Sequence, residues 1–240
     1  MIKAFPVANK QKSVDICRAF IEGAPKKGEG SVFYGVDKAN VMEWDIERKR
    51  GSRPWFYIDN SYFDSVRGKQ YRVSKNNTQC HPDPLGHPST GERFARLGIK
   101  LKPWHPNIEG YYLIIEQSQS FMTLVARDPD WFARTVKNYT AHGVEVRVRP
   151  WARDKAKLQS HLPADLAGAS TLVTHSSAAA VTAVIEGIPV IVSGMSALAQ
   201  MRWSTDPEHD QRLGFLNVLA DNQWTLDEIR EGKAWEWLTK

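Results

Sequence analysis

Thr174, His175, Ser176 and Ser177 place three hydroxyls and an imidazole side by side in the chain. What they can do depends on the segments around them. Leu172-Val173 closes a short apolar run just before them. Ala178 to Glu186 has a helical composition that Gly187 and Pro189 break, and Val190-Ile191-Val192 makes a second apolar run. Strand, polar turn, helix, Gly-x-Pro and strand is a single βαβ unit with a parallel sheet. The polar turn falls where the first strand ends and the helix begins. Unpaired backbone N–H groups and the positive helix end favour phosphate there. Hydroxyls and an imidazole at that point suit a diphosphate or a similar anion. The competing reading is that Ser176 or Ser177 is only an N-cap and His175 only lines a loop. The residue types alone leave the two readings even.

The rest of the chain must supply the frame. Ile2 to Val7 reads as a strand, and Ser13, Val14, Cys17, Phe20 and Ile21 mark an amphipathic helix closed by Gly23. A strand from Ser31 to Val36, a helix from Lys38 to Lys49 and a strand Trp55-Phe56-Tyr57-Ile58, cut off by Asp59-Asn60, follow. Three βα steps at this spacing make a small Rossmann-like half. Phe63 to Pro106 is irregular, with a strand at Gln70 to Val73 and loop from Ser74 to Gly91. Alternation restarts with a strand from Tyr111 to Ile115, a helix from Asp128-Pro129 to His142 and a strand from Val144 to Val148. Asp128 has the chemistry of an N-cap, with Pro129 at the first helical position. Thr225-Leu226-Asp227-Glu228 is a capping box for one final helix carrying Ile229, Trp235 and Trp237. The fold expected is α/β, with a basic domain over residues 1–105 and a second Rossmann-like domain over 106–240, the last helix packing back on the first.

The unit at 171–194 resembles the donor-binding segment of GT-B-type glycosyltransferases, small phage-encoded and capsule-type members in particular. The resemblance rests on the strand, the Ser-Ser pair, the helix and the Gly-x-Pro before the next strand. The runs WFYIDNSYF and QYRVSKNNTQ look similar to the same group. The resemblance implies two Rossmann-like domains facing across a cleft, in trimmed form, and a nucleoside-diphosphate sugar as donor. It implies that Ser176 and Ser177 hold the donor's diphosphate. Five residues before Gly187, where these enzymes carry a ribose-binding Glu, stands Thr182, so a charged contact gives way to a hydroxyl.

In such folds the ligand crevice lies at the carboxyl ends of the strands, which selects Asp59-Asn60, Gln117-Ser118, Arg149 and the Thr174–Ser177 turn. Asp59 is the candidate base for an acceptor hydroxyl, with an Asx-turn as the alternative. Arg149 can clamp donor phosphates, Trp151 can stack on the base, and Gln117 and Ser118 can contact the donor. A surface Arg and a packing Trp are the alternatives. Asn60, Tyr62, Tyr71 and Arg72 form the acceptor set.

Charge bears on the acceptor. Residues 1–160 hold 27 Lys/Arg against 17 Asp/Glu, and residues 161–240 hold 5 against 10. The excess of the first part fits a polyanion, and DNA with a hydroxymethyl-pyrimidine base is the favoured acceptor. A target base must leave the stack, and Tyr57, Tyr62, Tyr71 or Trp104 can hold it. A polysaccharide or lipid-linked acceptor is one alternative. A catalytically inactive nucleotide- or nucleic-acid-binding module, which Thr182 allows, is another. Cys80, His81 and His87 lack the spacing of a zinc site, no Asp-x-Asp occurs, and no Gly-rich phosphate loop is present, so no metal or cofactor is expected. His161 and His209 have no partner that marks them as catalytic. Two cysteines and the absence of an apolar run of membrane length fit a cytoplasmic protein, in the host if phage-borne.

Overall fold

The period of the apolar residues sets the order of the first elements. The computed structural model describes residues 1–7, 9–79, 89–104, 107, 109–151, 160–199 and 209–240. β1 (Ile2–Pro6), α1 (Gln11–Gly23), β2 (Gly30–Tyr34), α2 (Lys38–Arg50) and β3 (Trp55–Asn60) alternate as read, followed by β4 (Gln70–Lys75) and a short α3 (Glu92–Arg96). Next come β5 (Tyr111–Ile115), α4 (Gln119–Phe121), α5 (Trp131–Ala141), β6 (Val146–Arg149) and α6 (Leu162–Leu166). The turn-bearing unit is β7 (Ala169–Thr174), α7 (Ala179–Glu186) and β8 (Val190–Val192). The chain closes with α8 (His209–Asp221), β9 (Gln223–Thr225), α9 (Leu226–Arg230) and α10 (Lys233–Thr239). Two compact units result: Met1–Leu97 with Asn217–Lys240, and Gly98–Leu216.

In the first unit the strand order is β1-β2-β3-β4-β9. β1, β2 and β3 run parallel, while β4 and β9 pair antiparallel. The expected third βα step is therefore absent: β3 turns into an antiparallel neighbour. Every residue of β2 is buried, as a parallel strand covered on both faces requires. Ile16, Phe20, Val32, Phe56, Ile58, Val73 and Trp224 fill the core. β9 explains why the last segment belongs here, since Trp224 pairs with Tyr71 of β4 and packs into that core. α2 begins in a capping box between Asp37 and Asn40, with bonds of 2.8 and 2.9 Å.

Three local expectations are corrected. The Thr225–Glu228 capping box is present, with bonds of 2.8 and 3.2 Å, but it starts two helices rather than one. Gly232 at φ 87° takes the left-handed conformation that breaks them apart. Asp128 does not cap α5, because its carboxylate is held by Arg134 at 2.7 and 2.9 Å and the helix starts three residues later, at Trp131. Asp59 and Asn60 do not follow β3: they are its last two residues, paired with Arg72 and Tyr71 of β4. The cluster of Cys80, His81 and His87 lies outside the described residues, as does the side chain of His209. No described helix is long and apolar enough to cross a membrane.

The second unit is an all-parallel sheet in the order β6-β5-β7-β8. Ile115 pairs with both Arg149 and Thr174, and Thr174 pairs with Val192. The four carboxyl ends are thus level. Whatever follows each strand shares one rim.

Candidate functional site

α7 is eight residues long, starts after Ala178 without a side-chain cap and ends at Gly187, whose φ of 83° the left-handed C-cap requires. Its first turn is set by the preceding polar residues. Ser177 Oγ accepts from the Ala179 N–H at 3.2 Å, and the Ser177 carbonyl accepts from Ala180 at 3.1 Å. Gln117, reached from the end of β5, grips the neighbouring residue: its Oε1 accepts from the Ser176 N–H at 2.7 Å, and its Nε2 lies 3.2 Å from Ser176 Oγ. Gln117 Oε1 and His175 Nδ1 also lie 3.3 Å from Ser176 Oγ, so the Ser176 hydroxyl has partners within the turn itself. The Ser177 hydroxyl, an acceptor for Ala179, has no acceptor for its own proton among the described residues. The N–H groups of Ser177 and Ala178 have no acceptor among the described residues. One hydroxyl proton and two amide protons at the positive end of a helix can form an anion cradle. The two sequence readings of the turn do not exclude each other, because Ser177 supports the first turn of the helix through its oxygen and leaves its proton free.

His175 is 5% exposed and sits edge-on to Phe121 and Trp131, with ring centroids at 6.3 and 5.6 Å. Its carbonyl accepts from the Ser193 N–H at 3.0 Å and from the Ser193 hydroxyl at 2.7 Å, tying the turn to the end of β8. Burial lowers the imidazole below its ordinary 6.5, against an opposing pull from the Asp128 carboxylate. The ring is neutral at pH 7 and offers its Nδ1 to the Ser176 hydroxyl at 3.3 Å. A histidine with a depressed folded-state value binds a proton more readily when unfolded. Stability is then full above about pH 6.5 and falls as pH drops below it. Melting temperature should decline less between pH 7 and 5 in His175→Asn than in the native chain. An equal decline would show that His175 is not a buried neutral ring.

A cavity of about 630 Å³ runs along α5 and the ends of β7 and β8, with Trp131, Arg134, Asn138, Thr174, Ile191 and Ser193 in its walls. That volume is ample for a nucleoside. Sequence reasoning missed Trp131, and its only signal was position, at the start of the helix after β5. Trp151 stands after β6, 46% exposed, its N–H bonded to Glu116 at 2.9 Å, and it does not line this cavity. Arg149 is not brought to the turn. β5 separates β6 from β7, and the guanidinium is bound to Asp165 and to the Ser160 carbonyl at 3.0 Å. Ser118 caps α4 through the Phe121 N–H at 3.3 Å, and Thr182 is half-buried in α7.

In the first unit Asn60, Tyr62, Tyr71 and Arg72, the residues expected to meet an acceptor, lie together at the end of β3. The Arg72 guanidinium, its side chain 7% exposed, lies 2.8 Å from the Asp59 carboxylate and 4.4 Å from the centre of the Tyr62 ring. Tyr62 donates its hydroxyl to Gln79 at 2.9 Å. Asn60 bonds Asp59 Oδ1 through its N–H at 2.7 Å, and Lys12 Nζ stands 5.1 Å from the Tyr71 ring centre. Burial and the adjacent Asp59 push the Tyr57 hydroxyl far above its usual range, so it stays protonated. Asp59 Oδ1 accepts twice from Asn60, through the N–H and the side-chain amide at 3.4 Å, while Oδ2 accepts from Arg72 alone and retains a lone pair. Lys12 and Gln79 were not legible in sequence, since only the fold brings them here.

No family model matches the sequence, and no curated protein matches it. Solved structures do. Over 94% of this chain and 92% of the other, it is similar to Thermosulfurimonas dismutans KpsC, beta Kdo 2,4 transferase, at 16% identity and a TM-score of 0.56. Over 98% and 99% respectively, it is similar to Thermosulfurimonas dismutans KpsC, beta Kdo 2,7 transferase, at 12% identity and a TM-score of 0.55. The likeness is one of fold. It spans both units, as an α/β chain of two Rossmann-like parts requires.

Proposed function

We propose that this chain is a GT-B-type glycosyltransferase that moves a sugar from a nucleotide-sugar donor to a hydroxyl of an acceptor. The observation that carries the proposal is the α7 N-terminus, where the Ser177 hydroxyl and the N–H groups of Ser177 and Ala178 have no acceptor among the described residues. The fold likeness to two enzymes named as Kdo transferases supports it. In this reading the donor diphosphate sits at the α7 N-terminus and the nucleoside in the cavity against Trp131. As the sugar–phosphate bond breaks, charge grows on the leaving diphosphate, where the cradle and helix dipole are already oriented to receive it. The proposal assigns no step to a metal ion. Asp59 takes the acceptor proton, held in place by Arg72.

For the acceptor, the reading favours a saccharide hydroxyl over DNA. Arg48, Arg50, Arg53, Arg67, Arg72, Arg93 and Arg96 each lie 2.7 to 3.9 Å from a carboxylate of the chain itself. Cations neutralised in this way release few counterions from a phosphate backbone. Double-stranded DNA should then bind weakly at physiological salt, with a shallow dependence on ionic strength. A steep salt dependence that flattens on charge reversal of Arg48, Lys49 and Arg50 would restore the hydroxymethyl-pyrimidine acceptor. The donor half is tested by calorimetry with nucleosides and their diphosphates. Diphosphates should bind and bare nucleosides should not, and equal binding of both would remove the anion cradle as the donor anchor.

A further inference from the structure

The first unit holds a second polar crevice, of about 360 Å³, whose walls include Thr90, Arg93, Asp221, Glu228, Lys233 and Trp237. Its cations are already matched. Arg93 grips Glu228 at 2.7 Å and donates to the Gln223 carbonyl at 2.8 Å, while Lys233 pairs with Glu231 at 2.6 Å and Arg96 with Glu92 at 3.3 Å. Asp221, the last residue of α8, is not matched. It is 8% exposed, it lines the crevice and the smaller pocket adjoining it, and no described residue donates to its carboxylate. Little of the residue is exposed, and it lines the crevice, where an unpaired carboxylate favours a hydrogen-bond donor from a ligand.

We propose that this crevice binds a neutral saccharide, with the Asp221 carboxylate accepting its hydroxyls and the Trp237 ring covering one sugar face. Charge decides the ligand class. A free amine meets Arg93, Arg96 and Lys233, and a phosphate meets Asp221 and Glu228, so either ion brings a like charge into contact. A polyol has donors for Asp221, acceptors for the cations and an apolar C–H face for an indole. The volume lies at the low end for small-molecule sites, which fits one or two sugar rings. Gln223 connects the crevice to the end of β3: its carbonyl accepts from Arg93, and its side-chain oxygen accepts from the Tyr62 N–H at 2.8 Å. The occupant rests on the sugar-transfer reading, which this site extends by giving the acceptor saccharide a second hold.

The test is saturation-transfer NMR on the full chain with lactose, maltose and sucrose, with no nucleotide present. At least one disaccharide should bind. Asp221→Asn, which keeps the size and removes the charge, should weaken that binding at least tenfold, and Asp221→Ser should do the same. Ser176→Ala with Ser177→Ala should leave it unchanged. The proposal is overturned if none of the three sugars binds, if both Asp221 variants bind as the native chain does, or if inorganic phosphate displaces the sugar. Nucleotide release from nucleotide sugars is measured in parallel. Its absence beside intact saccharide binding would overturn the transfer reading and leave the crevice standing.

Discussion

Asp59→Asn is expected to lower glycosyl transfer on the order of 10²–10⁴-fold, the range in which a positioned general base contributes. The amide keeps the side-chain size and can still accept from the Asn60 N–H, which lies 2.7 Å from the native carboxylate. It loses the charge that pairs with Arg72 at 2.8 Å, and the buried guanidinium then has only a neutral oxygen there. Some loss of melting temperature therefore accompanies the variant, and kinetics must separate the two effects. A base deleted from the reaction lowers kcat with little change in donor KM. A merely structural loss is matched by Arg72→Met, which breaks the same ion pair while leaving the carboxylate free. If Asp59→Asn retains near-native kcat, Asp59 is only a structural partner of Arg72 and the base lies elsewhere.

The double variant Ser176→Ala with Ser177→Ala should weaken nucleoside-diphosphate binding on the order of 10²-fold, since each hydrogen bond to a charged group contributes about 1.5–3 kcal/mol. Gln117→Ala should show part of this loss without touching either serine, because Gln117 orients Ser176 through its N–H and its hydroxyl. Calorimetry separates these contributions from folding, which differential scanning follows in the same samples. Ser177→Ala also removes the 3.2 Å bond to the Ala179 N–H, so a small fall in stability belongs to that variant alone. Native-like affinity in the double variant would show that the phosphates do not sit at α7.

Signals that depend on neighbours in sequence were legible, and those that depend on the fold were not. The alternation of strand and helix, the polar turn before α7, the stop at Gly187 and the Thr225–Glu228 capping box all lie within a few residues of their cause. β9 is three residues long, and α8 carries no clear apolar stripe, so neither announces itself. The π-helical turn Met122–Ala126 is likewise invisible, although it stands next to Phe121, which flanks His175. Asp128 looked like a cap because its type and the following proline fit that role. Arg134, six residues on, takes the carboxylate instead. The candidate sites show the same division. Ser176 and Gln117 were both selectable as residues that follow strands, but the bond between them requires β5 and β7 to lie side by side with level ends. Arg149 satisfied the same positional rule and is drawn to Asp165, a partner that no strand-end rule anticipates.

Whether Thr182 in the place of a glutamate has ended catalysis is answered by the native protein. The decisive measurement is nucleotide release from a panel of nucleotide sugars, with and without saccharide acceptors. We expect release from at least one donor, accelerated by an acceptor and abolished by the Ser176→Ala, Ser177→Ala pair. Absence of release with every donor, while Thr182→Glu gains nucleotide binding, would contradict the account and leave a nucleotide-binding module that has lost its chemistry.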